Sequence, residues 1–210
     1  VNIDSNNADV FTTANIAATG TNKILFTDSG ATLTKVTVTG AGSVDLNDVP
    51  LSAVTTFDAS ASTGNVKAQL TNAAKAVAVL TGGGADVIDA DAIATAGSSA
   101  DLGAGNDTFF VGANLASFDK GANGGDGTDI INITDGSKLT STTAKYITNF
   151  ETLDVSGGTG DYDVSLNTFA TVQVDEAIAG ALAGDIKFTN APDTFTLTVA
   201  SKAEDGDFDV

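Results

Sequence analysis

Thr81-Gly-Gly-Gly-Ala-Asp86-Val-Ile88, Leu102-Gly-Ala-Gly-Asn-Asp107-Thr-Phe109 and Gly124-Gly-Asp-Gly-Thr-Asp129-Ile-Ile131 are three versions of one loop. Each sets a glycine four and two residues before an aspartate, and a large apolar residue two after it. This is the nonapeptide G-G-x-G-x-D-x-U-x, the repeat of a parallel β-helix. The third copy is complete; the first two lack the leading glycine. Asp86 to Asp107 is 21 residues and Asp107 to Asp129 is 22. An ideal roll returns to the same edge after about 18 residues, two nonapeptides per turn. The wider spacing fits one full turn with a few inserted residues, so the three loops are expected to stack on one edge. The opposite edge falls to degenerate segments near the halfway points, Gly97-Ser-Ser-Ala-Asp101 and Ser117-Phe-Asp-Lys-Gly121.

Outward from the loops the text is strand after strand. Upstream, Lys23-Ile-Leu-Phe-Thr27, Leu33-Thr-Lys-Val-Thr-Val-Thr39, Gly42-Ser-Val-Asp-Leu46, Val54-Thr-Thr-Phe-Asp-Ala59, Asn65-Val-Lys-Ala-Gln-Leu70 and Ala76-Val-Ala-Val-Leu80 alternate or cluster β-formers. Thr-Gly, Ala-Gly-Ser, Asn-Asp-Val-Pro and Ser-Thr-Gly-Asn turns separate them. Downstream, Glu151-Thr-Leu-Asp-Val155, Tyr162-Asp-Val-Ser-Leu166, Thr171-Val-Gln-Val174, Asp185-Ile-Lys-Phe188 and Thr194-Phe-Thr-Leu-Thr-Val199 continue the pattern. One short helix of about two turns is expected over Lys138–Phe150, where Leu139, Tyr146, Ile147 and Phe150 share a face. The alanine-rich stretch from Val174 to Ala183 is read as a turn of helix or a loop. The expected organisation is a β-rich solenoid or sandwich over 1–80, a roll of the three loops over 81–136, and a continuing solenoid over 137–210. The text opens and closes inside strand-like segments and carries no amino-terminal signal peptide, so it reads as one continuous fragment of a longer chain.

Composition narrows the chemistry. Apolar residues make up 42% of the 210 and aromatics 6%, so the core must come from Val, Ile, Leu and Ala, which suits thin stacked β layers. Nine basic residues, all lysine, face 27 acidic ones, a net charge of −18. Such a surface repels phosphate backbones and anionic lipid heads, which argues against nucleic-acid binding. No apolar run approaches a membrane span, which argues against membrane insertion. Cysteine, histidine, methionine and tryptophan are absent, so Ser-His-Asp and Cys-His catalysis and Cys/His zinc sites are excluded. Oxygen ligands remain: carboxylates, hydroxyls and backbone carbonyls.

Those are ligands for hard cations. Ca²⁺ takes six to eight oxygens at about 2.3–2.6 Å. Small residues in the loop let the backbone turn tightly and aim carbonyls inward, while the aspartate adds charge at a fixed point. Stacked loops complete the shell from two turns, which is why glycine and aspartate must occur together. The candidate metal residues are Gly82, Gly84 and Asp86, Gly103, Gly105 and Asp107, and Gly125, Asp126, Gly127 and Asp129. Three stacked loops make two shared sites, so at least two Ca²⁺ are expected. Ile88, Phe109 and Ile131 should point inward as a ladder beneath the ions. The acidic tail Glu204-Asp-Gly-Asp-Phe-Asp209 lacks the glycine spacing and is read as solvated surface or a truncated strand.

The loops, Gly103-Ala-Gly-Asn-Asp107-Thr-Phe109 above all, resemble those of the RTX (repeats-in-toxin) family of secreted bacterial proteins. Phe57-Asp-Ala-Ser-Ala-Ser-Thr-Gly-Asn65 before a Leu-Thr-Gly-Gly loop, and Ile147-Thr-Asn-Phe-Glu-Thr-Leu-Asp-Val155 after it, are similar to RTX-type surface-layer proteins of Gram-negative bacteria. The resemblance spans roughly residues 50 to 200. It implies an all-β, parallel β-helix or β-roll solenoid that leaves the cell by type I secretion, unfolded where calcium is scarce. It implies folding outside and self-association into a two-dimensional cell-surface lattice. Calcium would hold that lattice, and lipopolysaccharide would anchor it through another part of the full chain. The alternative is a module of a large calcium-dependent RTX adhesin. No enzyme is expected: sugar cleavage needs paired carboxylates in a cleft, and no isolated pair stands among sugar-gripping aromatics. A threonine ladder for ice binding is set aside, because Thr32, Thr34, Thr37 and Thr39 lie in one strand rather than once per turn.

Overall fold

The computed structural model describes residues 2–4, 11–27, 32–48, 51–175 and 186–200. Its strands in chain order begin β1 (Asn2–Asp4), β2 (Thr13–Ala18), β3 (Thr21–Lys23), β4 (Leu25–Thr27), β5 (Lys35–Gly40), β6 (Ser43–Leu46), β7 (Thr56–Ser62) and β8 (Val66–Gln69). Through the glycine loops run β9 (Ala78–Leu80), β10 (Val87–Asp89), β11 (Ser99–Asp101), β12 (Thr108–Gly112), β13 (Ala122–Asn123) and β14 (Ile130–Ile133). Then come β15 (Ile147–Thr148), β16 (Thr152–Asp154), β17 (Gly160–Asp163), β18 (Thr171–Asp175), β19 (Ile186–Thr189) and β20 (Leu197–Ala200).

These strands are short because apolar alternation never outlasts a few residues before a turn. In β5, Val36 and Val38 point in while their neighbours stay at the surface. In β8, Val66 and Ala68 do the same. A lone strand of this kind buries one face only and needs a partner above and below. The chain supplies partners by winding. Nine strands stack in the order β20-β18-β16-β14-β12-β10-β8-β6-β3, and seven in the order β15-β13-β11-β9-β7-β5-β2. From β5 to β16 the chain alternates between these two sheets, and each strand lies parallel to the one a full turn earlier, as in the β8–β10 and β9–β11 pairs. The molecule is an all-β parallel solenoid. Strands on either side of residue 80 (β8 with β10) and of residue 136 (β14 with β16) pair in the same sheets.

The core lies between the two sheets as two facing columns. Ala68, Ile88, Phe109, Ile131, Leu153 and Val172 are in register down the nine-stranded sheet. Val36, Phe57, Val79, Ala100, Ala122 and Ile147 are in register down the seven-stranded one. All twelve are buried. The Ile88–Phe109–Ile131 ladder expected beneath the glycine loops is therefore present. Phe109 meets Phe118 edge-on at a centroid distance of 5.1 Å and stacks on Phe150 at 6.5 Å. Near the C-terminal end a small additional sheet forms where β17 pairs β19, and the Tyr162 hydroxyl there donates to the Ile133 carbonyl at 2.8 Å.

One local expectation is corrected. The stretch 137–150 forms no α-helix; it makes 3₁₀ turns at Gly136–Lys138 and Thr143–Tyr146 before entering β15. Threonine hydroxyls take the place of helical bonding. Thr143 Oγ1 accepts from the Thr140 backbone N–H at 2.9 Å and donates to the Lys138 carbonyl. Such local bonds compete with the helix. Two other readings, the alanine-rich run up to Ala183 from residue 176 onward and the acidic tail Glu204–Asp209, lie outside the described residues.

Candidate cation site on the glycine edge

The three glycine loops join strands of the seven-stranded sheet to strands of the nine-stranded one: β9 to β10, β11 to β12 and β13 to β14. They stack on a single edge, with Gly83, Ala104 and Asp126 bridged in parallel from coil to coil. Glycine is needed because consecutive loops almost touch. Gly105 has φ +135° and Gly127 φ +151°, and a Cβ on either would stand 1.6 Å from a carbonyl of the coil before, that of Gly84 or Gly105 respectively. No side chain fits there, whatever its rotamer.

The edge carries a ladder of carboxylates. Asp86 Oδ1 accepts the Val66 N–H at 2.7 Å, Asp107 Oδ1 the Asp86 N–H at 2.8 Å, and Asp129 Oδ1 the Asp107 N–H at 2.8 Å. The separations of 20, 21 and 22 residues are each one turn of the solenoid. The three side chains are 0–1% exposed. In each, Oδ1 is satisfied while Oδ2 is buried with no hydrogen-bond partner. Burial dominates the electrostatics. It pushes the Asp86 carboxyl up to about 6 and that of Asp107 up to about 7, against the opposing pull of the backbone N–H bonds. Burial raises Asp129 too, with the negative charges of Glu151 and Asp126 adding to it.

A buried, half-satisfied carboxylate is unfavourable as a bare anion. It is relieved by a proton or by a cation. The donor set fits Ca²⁺ in kind, since every available ligand is oxygen. Among the described residues no three His, Cys, Asp or Glu side chains converge on a single point. A bound ion would therefore draw most of its shell from loop carbonyls, with Asp86, Asp107 and Asp129 supplying the charge. Gly82, Gly84, Gly103, Gly105, Gly125 and Gly127 are the loop positions whose backbone would have to supply those carbonyls. Asp126 differs: its side chain is exposed, and it joins the stack through its backbone, accepting the Gly105 N–H and donating to the Gly103 carbonyl.

Three participants escaped the sequence reading. Glu151 continues the ladder, its Oε2 accepting the Asp129 N–H at 2.8 Å. Asn65 and Asn106 form a parallel rail one residue earlier, accepting the N–H groups of Ala85 and Thr128 at 3.0 Å. Glu151 had a usable signal: it lies 22 residues after Asp129, with apolar Leu153 two residues on. Of the halfway segments, Asp119 caps the Gly97 N–H at 2.8 Å on the opposite edge. Asp101 instead sits on the outer face of β11, accepting from Asn123 Nδ2 at 3.0 Å. There a groove of about 540 Å³ crosses the seven-stranded sheet, lined in part by Asp101, Lys120, Asn123, Thr148 and Asn149.

No protein-family model matches the chain, and neither a curated protein nor a solved structure matches it. No helix among the described residues is long and apolar enough to cross a membrane.

Proposed function

We propose that this chain is a structural part of a secreted bacterial surface layer of RTX type, folded by Ca²⁺ and assembled with it into a two-dimensional cell-surface lattice. The observation that carries the reading is the stacked row of Asp86, Asp107 and Asp129, each with one buried carboxylate oxygen lacking a partner. That row gives a cation a place along the glycine edge. Outside a cell, where calcium is abundant, the ions replace protons and the edge is relieved. At a net charge of −18 the ion-free chain repels its own copies, and bound Ca²⁺ lowers that charge and bridges neighbours. The role is non-catalytic, and lipopolysaccharide contact belongs to another part of the full protein. A second reading, a module of a calcium-dependent RTX adhesin, draws on the polar groove over Asp101, Asn123 and Thr148, which has hydrogen-bonding groups suited to a sugar.

Electron microscopy of the purified intact protein, with and without Ca²⁺, separates the two. Regular sheets that form on adding calcium and dissolve in EGTA are the expected result. A protein that stays dispersed at every calcium concentration, yet retains a glycan on an array, overturns the lattice reading in favour of the adhesin.

A further inference from the structure

We propose that Asn123–Gly124 is a site of spontaneous deamidation that the coil-to-coil contacts of the solenoid hold closed. The site opens when this coil comes loose, and its product does not restore the third glycine loop. Asn123 is the one asparagine in the chain that glycine follows. The reaction needs no enzyme. The Gly124 backbone nitrogen gives up its proton and attacks Asn123 Cγ; the Cγ–Nδ2 bond breaks and ammonia leaves with that proton. Water then opens the five-membered imide on one side or the other, giving aspartate or isoaspartate. A glycine nitrogen is the least hindered nucleophile a main chain offers, because no Cβ shields it.

The fold demands both residues. A Cβ at Gly124 would stand 1.9 Å from the Asn149 carbonyl oxygen, so glycine has no substitute there. At 123 the side chain must accept and donate at once. Asn123 Oδ1 accepts from Asn149 Nδ2 at 2.8 Å and from Thr148 Oγ1 at 3.4 Å, while its Nδ2 donates to Asp101 Oδ1 at 3.0 Å. A carboxamide can do this and a carboxylate cannot. The same contacts restrain the reaction. The Gly124 N–H is committed to the Thr148 carbonyl at 3.0 Å, and the Asn123 carbonyl accepts the Leu102 N–H at 3.0 Å. The carboxamide is held at both ends, by the coil before and the coil after. Attack requires these bonds to break together, which takes local unfolding of the coil.

Neither product fits this place. Aspartate at 123 sets a carboxylate where a donor faced Asp101, and like charges directly opposite on neighbouring strands are destabilising. Isoaspartate lengthens the main chain by one carbon, between the paired residue Ala122 and the bridged residue Asp126. Gly125 and Gly127 cannot absorb the shift, since each already lies against the coil before.

The test ages the whole chain in two states. Wild type is held at neutral pH in CaCl₂, its fold checked by circular dichroism, and in parallel in guanidinium chloride. Peptide mapping by mass spectrometry follows each asparagine. Asn123 is expected to deamidate on the order of tenfold or more faster in guanidinium, as the local stability of a paired coil imposes. Asn65, which valine follows, is the internal control and stays unmodified in both. Equal rates at Asn123 in the two states, or no reaction in either, overturn the protected site. The aged chain is then diluted out of guanidinium beside an unaged chain carried through the same steps. The deamidated fraction is expected to melt at a lower temperature or to stay unfolded. A deamidated chain that regains the melting temperature of the unaged one overturns the structural consequence.

Discussion

Each aspartate of the ladder has two oxygens with opposite fates. Oδ1 closes a backbone bond to the coil before; Oδ2 is buried without a partner. Replacing Asp107 by alanine removes both, and calcium titration should register a much weaker affinity. Asp58→Ala should leave affinity unchanged, because Asp58 only accepts from the Ser60 N–H and hydroxyl on the surface of β7. Equal losses in the two variants would detach calcium from the glycine edge. The raised carboxyls also fix a pH dependence. Asp86 is pushed to about 6 and Asp107 to about 7, above the unfolded value of about 3.9. Their contribution to ion-free stability is thus fully present below about pH 4 and is lost as pH rises through about 6 to 7. Asp135 and Asp163 are held low by the Ser137 and Ser165 hydroxyls and act in the opposite sense at more acid pH. In EGTA the melting temperature should fall between about pH 4 and 7, and saturating Ca²⁺ should abolish the fall. A rise across that window in EGTA would contradict the account.

At the scale of the element, the glycine loop and the strand after it act as a unit. Gly105→Ala would drive a methyl into the Gly84 carbonyl and force an L side chain to φ +135°. A loss of at least about 2 kcal/mol is expected in chemical denaturation. Phe109→Ala, one strand on, should lose about 3–5 kcal/mol, since the ring is wholly buried against Phe118 and Phe150. The glycine–aspartate spacing made this unit readable in the sequence, because clashes between coils leave no other residue at those positions. The inward ladder was readable for the same reason: register is locked by the loops. Glu151 was hidden because its turn is short and glycine-free, with a glutamate reaching where an aspartate stands elsewhere. The helix expected over 138–150 failed because its apolar spacing matches a helical face while Thr140 and Thr143 bond locally. Val36, Phe57 and Val79 read individually as strand residues, but their pairing a full turn apart is a long-range property that the alternation alone does not specify.

At the scale of the whole molecule, a solenoid with a net charge of −18 buries three carboxylates, Asp86, Asp107 and Asp129, in a row on one edge. Each coil of such a stack leans on the coils before and after it, so a strained edge weakens every turn beside it. The most direct measurement is circular dichroism and thermal unfolding of the chain at neutral pH in EGTA, followed by addition of CaCl₂. The account predicts weakened β signal or a clearly lowered melting temperature in EGTA, restored by calcium and not by an equal concentration of NaCl. An identical spectrum and an identical melting temperature with and without calcium would contradict it.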